Sequence, residues 1–152
     1  MSFIIAINAC KRFLADTHHE EPPERGAVPP AGGGPKVAVV GAGPSGLTCA
    51  YYLSLLGAEV TVYDAEEEPG GRLATTIPDF RLPKKVLRAE VGELARRGVA
   101  FRQGVRVGPG GVPVSELFSG YDAVYLAIGA PDSIRLKIEG DGAFLDFQDV
   151  LR

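Results

Sequence analysis

Cysteine is scarce in this chain: Cys10 and Cys49 are the two among 152 residues, and no CxxC spacing joins them. That argues against a disulfide framework and a metal site, and leaves no cysteine cluster to ligate an iron–sulfur centre. Cys49 falls inside an expected helix and reads as a small buried residue. Histidine is equally sparse; His18 and His19 adjoin in a polar stretch and read as solvated rather than metal-binding. Positive charge is not in excess, since the net charge is −3, so nucleic acid and anionic membranes are poor partners. No apolar run approaches the ~20 residues that span a bilayer. The apolar stretch from Ser2 to Ala9 is short for a signal core, and Lys11 and Arg12 follow it instead of preceding it. The expectation is a soluble, cytoplasmic protein. An obvious acid, base or nucleophile is also missing. Tyr51, Tyr52 and Tyr63 read as packing, so no catalytic residue is assigned.

What is present is a chain long enough for one domain, 45% hydrophobic, with 20 glycines and 12 prolines. Its most informative stretch runs from Lys36 to Gly46. Val37 to Val40 is an uncharged β-branched run, as a strand buried on both faces requires. Gly41 permits a tight turn, Gly43 clears the backbone for a pyrophosphate, and Gly46 lets the next helix pack closely on the sheet. Ala42, Pro44 and Ser45 complete the turn. Pro44 suits a helix start, and the helix should run to about Leu56, with Gly57 ending it. Ala58 to Tyr63 supplies the second strand. Asp64 follows at a distance suited to a ribose hydroxyl and disfavours a 2′-phosphate, so NADP is not expected here.

A second loop follows. Glu66, Glu67 and Glu68 lead into Pro69, Gly70, Gly71 and Arg72. Paired glycines can bring amides near a second part of a long ligand, and Arg72 can neutralise phosphate. An ordinary Pro-Gly turn behind a solvated acidic run is the alternative.

The remainder gives the organisation. Residues 1–16 form an expected amphipathic helix with Ile4, Ile5, Ala9, Phe13 and Leu14 on one side. Residues 17–35 form a Pro/Gly/Glu linker. An α/β, Rossmann-like domain with a parallel sheet occupies 36–152. A helix opened by Pro83 buries Val86, Leu87, Val91 and Leu94, while Lys84, Lys85, Arg88, Arg96 and Arg97 read mostly as a solvated face. Val99 to Val107 reads as a strand, 108–113 as a turn and Ser115 to Phe118 as a brief helix. Ala123 to Ile128 reads as a buried strand, and Asp146 to Leu151 as a helix start. Asp79 lies close enough to Arg81 in sequence to pair with it.

The glycine turn, the acid and the Gly-Gly pair together resemble the FAD domain of two-dinucleotide flavoproteins. The segment from Ile77 to Pro83 is similar to one in the glutamate synthase small subunit and the FAD domain of dihydropyrimidine dehydrogenase. Tyr121 to Ala130 resembles that family's strand ending in Ala-Thr-Gly-Ala. Lys11, Arg12 and Phe13 resemble a helix that joins an iron–sulfur domain to the FAD domain there. The resemblance covers about residues 6–152.

It implies that Gly41 to Ser45 cradle the FAD pyrophosphate and that Asp64 holds the adenosine ribose. Gly71 and Arg72 would line the pyrophosphate and ribitol, and Arg81 the flavin or phosphates. Val107 would present backbone to the adenine, and Gly129 would let the strand end pass the cofactor. Two positions depart from the pattern. The family often has an apolar residue where Arg72 stands, and Pro69 to Arg72 also resembles amine-oxidase flavoproteins. Ile128 replaces the family's threonine, which removes a hydroxyl there.

In the resembled family NADPH binds a second Rossmann domain, and electrons pass through the flavin to iron–sulfur clusters. No second glycine fingerprint occurs here. The resemblance therefore implies an FAD-binding electron-transfer domain or subunit, completed by an NAD(P)H domain, with an iron–sulfur protein as a further candidate partner. An amine-oxidase-like fragment and a non-enzymatic nucleotide- or partner-binding remnant are the alternatives.

Overall fold

A computed structural model describes residues 6–18 and 33–130. Within them, nine elements follow the chain. They are α1 (Ile7–His18), β1 (Lys36–Val40), α2 (Pro44–Leu55), β2 (Glu59–Tyr63), α3 (Arg72–Thr75), α4 (Lys84–Arg96), β3 (Ala100–Arg102), α5 (Val114–Gly120) and β4 (Ala123–Leu126). The four strands form one sheet in the order β3-β2-β1-β4, every pair parallel. This is the expected Rossmann-like α/β fold.

The sheet has helices on both faces, and strand alternation divides the core accordingly. Val39, Val60 and Val62 point to one side and pack with Ala50, Leu94 and Val99, under α2 and α4. Ala38 and Val40 point to the other and pack with Leu117 of α5. β1 is central and paired on both edges, which is why Val37 through Val40 are all buried. Each valine so buried contributes roughly 1.5–3 kcal/mol, an upper bound set by an extended unfolded chain. Pro44 occupies the first turn of α2, and the chain leaves through Leu56 and Gly57, whose φ of 81° ends the helix.

Several expectations need correction. The strand expected over Val99 to Val107 is only Ala100–Arg102, because the chain turns at Gln103 and at Gly104, where φ is 67°. The strand expected to be buried over Ala123 to Ile128 is exposed: Leu126 is 59% and Ile128 68% accessible. Its reason is position, since β4 pairs with β1 alone and lies at the sheet's edge among the described residues. Arg97 is buried, not solvated. Its Nε lies 3.1 Å from Glu93 Oε1, and its guanidinium sits 5.4 Å from the Tyr51 ring centroid. Leu87 and Leu94 are buried as expected, with Val86 and Val91 half-buried. Asp79 does not pair with Arg81 but accepts the N–H of Lys84, the first residue of α4, at 2.9 Å.

The N-terminal helix spans Ile7–His18, two residues into the expected linker. Ala9, Phe13 and Leu14 are exposed, so its apolar side is uncovered. Ile4, Ile5, the linker from 19 to 32 and the helix expected at Asp146 lie outside the described residues. No described helix is long and apolar enough to cross a membrane.

Candidate functional site

The carboxyl ends of β1, β2 and β4 converge, the position at which open parallel sheets bind ligands. The turn after β1 is held from both sides. Gly41 N–H donates to Tyr63 O at 2.7 Å, and a Cβ at Gly41 would lie 2.3 Å from Ala127 O. A Cβ at Gly46 would lie 1.9 Å from Gly41 O, so α2 can meet the turn this closely only through glycine. Gly43 is different. A Cβ there would meet nothing within 4 Å. The amides of Gly43, Ser45 and Gly46 donate to no protein acceptor among the described residues, and no side chain caps the helix. Pro44 has no N–H to offer. The turn thus places three unpaired donors at the positive end of a 12-residue helix, with Pro44 and Ser45 exposed beside them.

Asp64 anchors the turn from the end of β2. One carboxylate oxygen accepts the Ala42 N–H at 2.5 Å and the other the Glu66 N–H at 2.8 Å. Each oxygen retains a further lone pair, so the carboxylate can still accept from a hydroxyl. Asp64 therefore has a structural task that the sequence spacing did not show.

The second loop packs directly on the first. Gly70 N–H donates to Ala42 O at 2.8 Å. Gly71 has φ 53° and ψ −127°, and a Cβ there would lie 2.9 Å from the Gly43 Cα. Two glycine backbones in contact let the loops share one surface. Arg72 reaches across this surface and donates through Nη2 to Ala130 O, joining the loop to the end of β4. Gly129, at φ 67°, faces open space beside it.

Gly41, Ala42, Gly43, Pro44, Ser45, Gly46, Asp64, Gly71, Arg72 and Gly129 are thus drawn toward one place. Arg81 is not tied to them. It is exposed; its N–H donates to Pro78 O at 2.9 Å and its carbonyl accepts from Arg12 Nη1 at 3.2 Å, neither partner belonging to the two glycine loops. Val107 connects indirectly, through Val105, whose N–H donates to Asp64 O at 2.8 Å. The Val107 side chain packs against the Ala38, Val40 and Leu117 core. Its own N–H and C=O make no backbone hydrogen bond among the described residues.

Sequence inspection missed three polar groups. Lys84 Nζ donates to Leu73 O at 2.8 Å and Ile77 O at 2.6 Å, fixing the loop behind Arg72. The Tyr125 phenol lies 3.0 Å from Ser45 Oγ. Both amide atoms of Gln103 are buried without a partner, immediately after the strand that pairs with β2. Polar tips on an apolar strand and at a strand end were the available signals.

Farther along β2, the Tyr63 phenol is pushed up to about 12 by burial first, then by its 2.9 Å bond to Tyr121. Burial also raises the Cys49 thiol. No group of three or more His, Cys, Asp or Glu suited to a metal occurs among the described residues. The arrangement presents donors, a carboxylate and bare backbone, groups with the chemistry to meet an elongated anionic ligand.

Residues 39–92 match the NAD(P)-binding Rossmann-like domain family. The chain is 40% identical, over 78% of its length, to the NADP(+)-dependent formate dehydrogenase subunit beta of Moorella thermoacetica. It is 39% identical, over 72% of its length, to the glutamate synthase [NADPH] small chain of Escherichia coli K12. Over this region the chain is similar to subunits of NAD(P)H-dependent oxidoreductases, the glutamate synthase small chain among them. It spans 17% and 23% of the lengths of these two relatives. Among solved structures it is similar to FprA, a Mycobacterium tuberculosis oxidoreductase. That similarity has a TM-score of 0.64 at 26% identity, and covers 72% of this chain and 26% of the other. The family match extends from β1 into α4 and so contains both glycine loops and Asp64.

Proposed function

We propose that this chain forms the FAD-holding part of an NAD(P)H-dependent oxidoreductase of the glutamate synthase small-chain type. The observation that carries it is the contact of Gly71 with Gly43, beside three unpaired amides. A single glycine turn serves any dinucleotide; a second bare loop packed on it extends the surface for a longer one.

In this reading the amides of Gly43, Ser45 and Gly46 bind pyrophosphate, with Gly41, Ala42 and Pro44 shaping the turn. Asp64 accepts from the adenosine ribose while keeping its two backbone bonds. Gly71 and Arg72 line the pyrophosphate and ribitol. The unpaired backbone of Val107 meets the adenine, and Gly129 lets the end of β4 run past the ligand. Arg81 contributes positive charge near the flavin or phosphates. When bound, FAD supplies the capacity to accept an electron pair and release it singly. This chain's residues bind and orient; none acts as acid or base.

The source and destination of the electrons belong to other domains or subunits: one binding NAD(P)H, and an iron–sulfur protein. The formate dehydrogenase and glutamate synthase relatives are both named as subunits or chains of larger enzymes. Cys10 and Cys49 are unpaired thiols, which suits a cytoplasmic setting.

The family's description favours a second reading, in which this site takes NAD(P) itself. Asp64 opposes the phosphorylated form, since a 2′-phosphate would face its carboxylate. Reconstitution separates the readings. Purified chain loaded with excess FAD and desalted should retain flavin absorbance and gain thermal stability. Loss of all flavin with no thermal shift overturns the FAD reading. In the complete assembly, anaerobic NADPH should bleach that absorbance.

A further inference from the structure

We propose that Tyr125 is a positioning residue for the phosphate cradle, setting the direction in which the Ser45 hydroxyl donates. The inference rests on the dinucleotide reading of this site. Ser45 Oγ and Tyr125 OH are 3.0 Å apart, although 80 residues separate them. The β1–β4 register explains the meeting. Tyr125 lies opposite Val39, whose side chain belongs to the core beneath α2. The phenol therefore rises on the α2 side of the sheet and ends at the helix's first turn.

Two hydroxyls so placed share one hydrogen bond, and either can donate. If Ser45 donates to Tyr125, no serine proton is left for a ligand. If Tyr125 donates, the Ser45 proton is free to turn toward the surface where the amides of Gly43, Ser45 and Gly46 lie unpaired. A phenolic O–H is in general a stronger hydrogen-bond donor than an alkyl O–H, which favours this order. An anion beyond Ser45 reinforces the same order, because each bond in the chain polarises the next. Tyr125 thus acts through Ser45 and touches no phosphate itself. It is 41% exposed, so its ring is not a core element that packing alone would require.

A plain staple between α2 and β4 would use the same bond, and the test separates the two roles. FAD affinity is measured by fluorescence titration for wild type, Tyr125→Phe, Ser45→Ala, Ser45→Thr and the Tyr125→Phe/Ser45→Ala pair. Phosphorus NMR of bound FAD is recorded alongside. Ser45→Ala should weaken binding about tenfold and Tyr125→Phe about fivefold. The double variant should be no weaker than Ser45→Ala, and Ser45→Thr should retain affinity. Tyr125→Phe should also shift the pyrophosphate resonances, which a staple would leave unchanged. Wild-type affinity and resonances in Tyr125→Phe overturn the proposal, as do additive losses. Should Tyr125→Phe fail to fold, wild-type FAD affinity in Ser45→Ala overturns it and a loss rescued by Ser45→Thr supports it. Failure of wild type to bind FAD overturns the FAD reading of this site and this inference together.

Discussion

Replacing Gly43 with alanine separates what the fold needs from what the ligand needs. Gly43 caps α2 with φ −75° and ψ −177°, an extended conformation open to any residue. A methyl group there would meet nothing within 4 Å. Alanine is a poorer N-cap than glycine, by about 0.5–1 kcal/mol. It also narrows the unfolded ensemble, which stabilises by about 0.4–1 kcal/mol. The two effects offset, so stability should stay within about 0.5 kcal/mol and the melting temperature within about 3 °C. Binding should behave otherwise. The methyl would project from the surface that bears the unpaired amides, holding a pyrophosphate off the backbone. A tenfold or greater loss of FAD affinity is expected, equal to about 1.4 kcal/mol. Differential scanning fluorimetry and fluorescence titration on the same preparation read both quantities. Wild-type FAD affinity in Gly43→Ala would refute the placement of the ligand. A large fall in melting temperature would refute the claim that the space is open.

Gly46→Ala should do the reverse, because its Cβ would lie 1.9 Å from the Gly41 carbonyl oxygen. Overpacking of this kind costs about 1–3 kcal/mol, so the melting temperature should drop by roughly 5 °C or more even without ligand. Gly71→Ala should lose both stability and affinity, since it adds strain at φ 53° and presses on Gly43; thermal and FAD titrations on one sample would show the paired loss. Tyr63 gives a pH signature. Its folded pKa of about 12 exceeds the ordinary 10.0, so its stabilising contribution is complete below 10. That contribution is lost as pH rises toward and through 12, where the folded phenol also ionises. Phenolate absorbance should show Tyr63 titrating late, and Tyr121→Phe should bring it earlier.

The β1 run, the glycine turn, α2 and Asp64 were legible because each rests on local chemistry. A β-branched run, glycines at backbone contacts, a proline at a helix start and an acid at a strand end follow one another within 30 positions or so. The misses are long-range. Arg97 looked solvated because helical spacing put it among other cations, and the Tyr51 ring of α2 meets its guanidinium only in the folded chain. β4 looked buried because its composition is apolar, but strand composition does not reveal which strand lies at an edge, as β4 does among the described residues. Val99 to Val107 looked continuous because Gln103 and Gly104 are only a weak interruption, and the turn there is fixed by bonds to Glu66 and Asp64. The Asp64 carboxylate illustrates both cases. Its spacing from Gly41 was readable, while its bonds to Ala42 and Glu66 depend on the folded turn. Tyr125 met Ser45 only once the β1–β4 register was known.

The central claim is that two glycine loops in contact make an FAD half-site. Calorimetric titration of one preparation with FAD, ADP and NADP+ tests it most directly. The account predicts that FAD binds most tightly, ADP follows through the Gly43 turn and Asp64, and NADP+ is weakest because its 2′-phosphate faces that carboxylate. Tightest binding of NADP+, or equal binding of FAD and ADP, would contradict it.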